Sequence, residues 1–124
     1  MEKEVVVLDT DRNQCKSLCA LLTGHEYMST AMSSLTNMDQ YLGESDCRAI
    51  ILNLDNVSVT NKILRDLKRK NPLINIIGFS ERQFHPELEE ALREYISVCL
   101  AKPIDPDELT YWLKTIYENN EKPI

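Results

Sequence analysis

No stretch of this 124-residue chain approaches the roughly 18 consecutive apolar residues of a membrane-spanning helix, so no such span is expected. Basic residues are in the minority. The 14 Lys and Arg against 20 Asp and Glu give a net charge of −6, which argues against nonspecific nucleic-acid binding. The N-terminus, Met1-Glu2-Lys3-Glu4, lacks the basic and then apolar layout of a signal peptide, and a cytoplasmic location is expected. The four cysteines (Cys15, Cys19, Cys47, Cys99) form neither a CxxC pair nor a disulfide framework. Cys15 and Cys19, four apart on one helix, can in principle share a metal, but His25 and His85 lie at no matching spacing; reduced thiols filling apolar space are the expected role. Internal repeats, low-complexity segments and a second domain are also missing. With 43% apolar and 27% charged residues, the chain reads as one globular domain over residues 1–124, with 119–124 as a linker or tail.

What the sequence does contain is organised around Ala49–Asn56. Four apolar residues and then abrupt polarity predict a strand buried on both faces, whose carboxyl end opens onto a polar crevice. Ahead of it, Glu4–Leu8 reads as a buried strand with the acidic tip Asp9-Thr10-Asp11, and Asp11 can cap a helix over Arg12–Leu22 that Gly24 stops. Cys15, Leu18, Cys19, Leu21 and Leu22 form its apolar stripe. Tyr27–Ala31 is a weak strand, and Asn37–Leu42 a short helix with Met38, Tyr41 and Leu42 inward, ended by Gly43. Asn61–Lys70 places Ile63, Leu64 and Leu67 on one face. Its polar side, Lys62, Arg65, Lys68, Arg69 and Lys70, reads as a solvated face, with a docking patch for an acidic partner as the alternative. Ile74–Phe79, ending at Ser80, is the fourth strand; Glu87–Glu94 is a helix and Ser97–Leu100 the fifth strand, closed by Lys102-Pro103. Asp105-Pro106 starts the last helix, Pro106–Asn119, where Leu109, Leu113 and Ile116 face inward, Trp112 borders them and Tyr111 is exposed. Strands alternating with helices five times predict an α/β fold with a parallel sheet and right-handed crossovers.

Ligands and reacting groups collect at the carboxyl ends of parallel strands. Here those ends carry Asp9 to Asp11, Asn53 to Asp55, Ser80 and Lys102. Acids that can hold Mg²⁺, with a lysine and a hydroxyl for phosphoryl oxygens, suit phosphate chemistry. On these marks, with the segment Gly24-His25-Glu26-Tyr27 and the Ile-Asp-Pro-Asp-Glu-Leu that follows Lys102-Pro103, the chain resembles the receiver domain of two-component response regulators over roughly residues 4–119. The resemblance implies a flavodoxin-like (CheY-like), doubly wound five-stranded parallel sheet, order 2-1-3-4-5, with five helices and often a cis Lys-Pro peptide. It also implies an aspartate at the end of strand three that takes a phosphoryl group from a histidine kinase, beside Mg²⁺. The signal would be read by an effector or output domain at the surface of helix 4, strand 5 and helix 5, where a homodimer can also form.

The chain departs from that pattern where the chemistry is. The acceptor position holds Asn53, and an amide cannot form an acyl phosphate. The usual acidic pair reads Asp9-Thr10, with Asp11 beside it; Val57, Asn61 and Cys99 replace the usual proline, glycine and aromatic switch residue. The expected function is therefore that of a degenerate receiver, not an enzyme, working by protein–protein interaction without ordinary aspartyl phosphorylation. Ser80 and Lys102 remain as phosphate-pocket residues, and Asp9, Asp11 and Asp55 as candidate Mg²⁺ ligands. Two alternatives stand beside it. Asp55, on the same side as Asn53, can serve as a surrogate acceptor. Leu8-Asp9-Thr10-Asp11 also fits the DxD signature of Mg²⁺-dependent haloacid-dehalogenase-like phosphohydrolases, with Asp9 as nucleophile, although the chain is short for them.

Overall fold

Four consecutive apolar residues in β1 (Glu4–Leu8) and four in β3 (Ala49–Asn53) leave neither strand a polar face, so both lie in the middle of a sheet covered on both sides. The computed structural model describes residues 3–121, the last three as backbone only. Five parallel strands, completed by β2 (Met28–Met32), β4 (Asn75–Ser80) and β5 (Ile96–Ala101), run in the order β2-β1-β3-β4-β5. The helices are α1 (Arg12–Gly24), α2 (Met38–Glu44), α3 (Asn61–Lys70), α4 (Glu89–Glu94, after a 3-10 turn over Pro86–Leu88) and α5 (Pro106–Glu121). The expected doubly wound fold and strand order are observed.

Alternate residues of each strand point to opposite faces. Val6, Leu8, Ile50, Leu52 and Ile76 pack on Met38, Leu42, Leu64, Leu67 and Ala91 of α2, α3 and α4. Val5, Val7, Ile51, Ile77 and Phe79 pack on Leu18 and Leu22 of α1 and on Leu109, Leu113 and Ile116 of α5. Trp112 is half-buried at the edge of this second layer, and Tyr111 is exposed, as expected.

Several boundaries differ from the sequence reading. Gly24 is the last residue of α1 and Gly43 lies one residue before the end of α2, and neither takes the left-handed backbone of a glycine cap. Glu26 (φ 68°) and Asn37 (φ 66°) take the left-handed backbone instead. Ile63 is 40% exposed while Leu64 is sealed, because the inward stripe of α3 runs through Leu64 and Leu67 and leaves Ile63 at its rim. The expected tail is helical as far as Glu121 in α5, and residues 122–124 lie outside the described part. The basic side of α3 is largely engaged within the chain: Lys62 pairs with Asp66, Arg65 with Glu90 of α4, Lys70 with Asp39 of α2, and Lys68 donates to the Ile74 carbonyl. Among the described residues no helix is long and apolar enough to cross a membrane.

Candidate functional site

The strand order reverses between β1 and β3, and the crevice beyond their carboxyl ends is where such a fold gathers functional groups. Asp9 follows β1, Asn53 closes β3, Ser80 closes β4, and Lys102 follows β5 across a cis peptide to Pro103. Two backbone bonds prolong the ladder to this rim: Leu54 N–H to the Phe79 carbonyl at 3.0 Å, and Lys102 N–H to the Ser80 carbonyl at 3.2 Å.

Asn53 is fully buried, and its amide is satisfied at both ends. Its Nδ2 donates to Gln14 Oε1 at 3.1 Å, while its Oδ1 accepts from Lys102 Nζ at 3.0 Å and from the Asp55 N–H at 3.0 Å. All three partners of this amide therefore come from other residues of the rim and of α1. The bond from Asn53 to the Asp55 N–H closes a tight side-chain turn that swings Asp55 back over the strand ends. Leu54, the residue between them, drops into the core against Gly78, where an added Cβ would meet the Leu54 Cδ1 at 3.0 Å.

The Asp55 side chain, 19% exposed, is the most heavily liganded of the acids here. Lys102 Nζ lies 2.8 Å from its Oδ2, the Glu81 N–H donates to the same oxygen at 2.9 Å, and Ser80 Oγ donates to Oδ1 at 2.6 Å. Burial raises this carboxyl, but the hydrogen bonds from Lys102, Ser80 and the Glu81 amide, with the Lys102 charge, outweigh it and hold the pKa at about 2. Ser80 Oγ in turn accepts from the Arg82 N–H at 2.9 Å, which fixes the direction of its own hydrogen.

The three acids proposed as Mg²⁺ ligands are not brought together. Asp11 is the N-cap of α1, its Oδ1 accepting from the Asn13 and Gln14 N–H groups at 3.0 and 3.1 Å, and Asp55 is turned to Lys102. Among the described residues no three His, Cys, Asp or Glu side chains converge on one point, Cys15 and Cys19 included. Asp9 stands apart from the other two. It is 4% exposed, its Oδ1 takes hydrogens from the Asp11 N–H (2.9 Å) and Asn56 Nδ2 (3.1 Å), and its buried Oδ2 has no hydrogen-bond partner. That oxygen is a buried acceptor at the crevice that is left without a partner among the described residues. With Asp11 committed to its cap, no general acid accompanies Asp9, and the geometry does not favour the phosphohydrolase reading.

The sequence reading placed Asn53, Asp55, Ser80 and Lys102 at one rim, and there they touch. It missed Gln14 and Asn56, which hold Asn53 and Asp9, and the Glu81 amide. Gln14 has a legible signal, two residues into the first turn of a helix that Asp11 caps. A backbone N–H has none.

This is the fold of receiver domains, a class of small doubly wound signalling domains. No family model matches the sequence, and no curated protein sequence matches it. Among solved structures, the chain is similar to the signal receiver domain of an HD domain-containing protein from Pseudomonas fluorescens Pf-5 (20% identity, TM-score 0.82, covering 96% of this chain and 97% of that one). It is similar to a CheY-like response regulator receiver domain protein from Methanospirillum hungatei JF-1 (13% identity, TM-score 0.83, covering 99% and 100%). It also matches part of NtrX from Brucella abortus (16% identity, TM-score 0.76), covering 96% of this chain and 27% of that protein.

Proposed function

We propose that this chain is a degenerate receiver module of two-component signalling, acting through protein–protein contact without aspartyl phosphorylation. One observation carries the reading: the side chain at the end of β3, seated against Lys102, is the amide of Asn53. Nucleophilic catalysis at this position needs a carboxylate, and the amide supplies none. The partner is a histidine kinase or an effector or output domain, met at the surface of α4, β5 and α5, and a homodimer through that surface belongs to the same reading. Support for it comes from β5, an edge strand with Ser97, Cys99 and Ala101 exposed, so it presents a short face of small residues. Mg²⁺ binding is weak in this reading and rests on Asp9.

The test is intact mass after incubation with Mg²⁺ and a small phosphodonor. The wild-type chain is expected to keep its mass, and Asn53→Asp to gain one phosphoryl group. A stoichiometric gain in the wild type that disappears in Asp55→Asn overturns the reading in favour of Asp55 as surrogate acceptor. A gain that disappears in Asp9→Asn, with release of inorganic phosphate, returns the phosphohydrolase reading.

A further inference from the structure

Three donors at the rim converge on one point from separate parts of the chain: the Ser80 hydroxyl, the Glu81 N–H and the Lys102 ammonium, all within 2.9 Å of Asp55 carboxylate oxygens. A cation, an amide hydrogen and a hydroxyl hydrogen aimed at a common centre make a site for a small oxyanion. We propose that these three groups form an oxyanion-binding cradle whose resident ligand is the chain's own Asp55 carboxylate, so that the site is filled from within and closed to phosphate. The proposal rests on the reading of the strand ends as a phosphate-type pocket and adds what occupies it.

The chain geometry explains how the occupant arrives. Asn53 Oδ1 accepts the Asp55 N–H and turns the backbone over, Leu54 anchors the turn in the core, and the Asp55 side chain then has one direction left, toward β4 and β5. An anion tethered two residues from the pocket competes at high effective concentration, on the order of millimolar or above, so a free anion must displace it to enter. The neutrality of Asn53 matters here, because Lys102 touches both side chains and only Asp55 carries charge against it. Arg82, the other cation near the carboxylate, is paired with Glu87 at 2.9 Å. The pocket is thereby held in its anion-filled arrangement, with the Ser80 hydroxyl drawn toward the β3–α3 loop, whatever the supply of phosphodonor.

Titration with inorganic phosphate at constant ionic strength, without Mg²⁺, tests this through the ¹⁵N–H resonances of Ser80, Glu81 and Lys102. The wild type is expected to give no saturable shift. Asp55→Ala should bind phosphate at least about tenfold more tightly than wild type, and Asp55→Ala/Lys102→Ala should lose that gain. Asp55→Asn, which keeps the shape of the turn, should behave like Asp55→Ala. Equal titrations of wild type and variants overturn the proposal, as does a folded Asp55→Ala that ignores phosphate. A readout that needs no variant is the Asp55 carboxyl ¹³C resonance in the wild type, expected to titrate well below the ordinary carboxyl range; ordinary titration places the side chain outside the cradle. The two readings fail separately. Phosphoryl transfer to the wild type overturns the unphosphorylated reading, whereas a flat comparison here leaves it standing.

Discussion

Lys102 stands between two acceptors of unequal charge, the Asn53 amide oxygen and the Asp55 carboxylate, and its ammonium is matched by one anion. Folding lowers the Asp55 carboxyl from its ordinary 3.8 to about 2. The stabilisation this confers is fully present above about pH 4 and is lost as pH falls through about 2. Lys102→Met should shrink that segment of the acid dependence, leaving the part held by Ser80 and the Glu81 amide, and lower stability by about 1–2 kcal/mol at neutral pH, as measured by urea unfolding at several pH values. Asp11 and Asp9 are adjacent acids with different work. Asp11→Ala should lose about 1 kcal/mol, the worth of an N-cap, and leave any response to Mg²⁺ as it was. Asp9→Asn should abolish that response, because it alters the acid whose oxygen is buried without a partner. A magnesium titration followed by amide resonances separates the two, and loss of the response in Asp11→Ala would return that residue to the cation site.

Helices and strands of this chain use small residues in opposite ways. Gly43 lies in α2 with open space where a Cβ would go, so Gly43→Ala should stabilise by about 0.5–1 kcal/mol through lower backbone entropy in the unfolded chain. Gly78 lies in β4 beneath Leu54, and Gly78→Ala should destabilise by about 1 kcal/mol or more and disturb the turn that carries Asp55. On α3, Leu64→Ala should cost about 2–5 kcal/mol. Its neighbour Ile63, 40% exposed, should cost well under half as much when changed to Ala. Thermal unfolding of the four variants orders them, and near-equal losses at Leu64 and Ile63 would contradict the packing of α3.

The last helix is tied to the sheet at the end opposite the crevice. Tyr117 of α5 is 4% exposed, donates its hydroxyl to the Glu4 carbonyl of β1 and accepts from the Arg48 N–H ahead of β3 at 3.3 Å. Burial raises its pKa, as a hydroxyl in a low-dielectric position requires. Tyr117→Phe keeps the ring in place but removes both bonds. It should lower stability by about 1–3 kcal/mol while leaving the amide resonances of Ser80, Glu81 and Lys102 unmoved. A shift at those resonances would show that the two ends of the sheet are coupled. Legibility followed distance along the chain. Asp11 as a cap, the Leu109–Leu113–Ile116 stripe and the buried runs of β1 and β3 are local patterns with one physical meaning, and they were read correctly. The end of α2 was misread because glycine is tolerated inside a helix, and past α1 it is Glu26, not Gly24, that takes the left-handed backbone.

From composition and order alone came the alternation of strands and helices, the inward faces and the gathering of Asn53, Ser80 and Lys102 at one rim, because hydrophobic period and chain connectivity leave few other solutions. Which acid meets which donor was decided only in three dimensions. Asp9, Asp11 and Asp55 are the same residue type within one crevice, yet one has a buried oxygen without a partner, one caps a helix and one lies against a lysine 47 positions further along. That division depends on where backbone amides and a single ammonium point, and a sequence carries no direction for either.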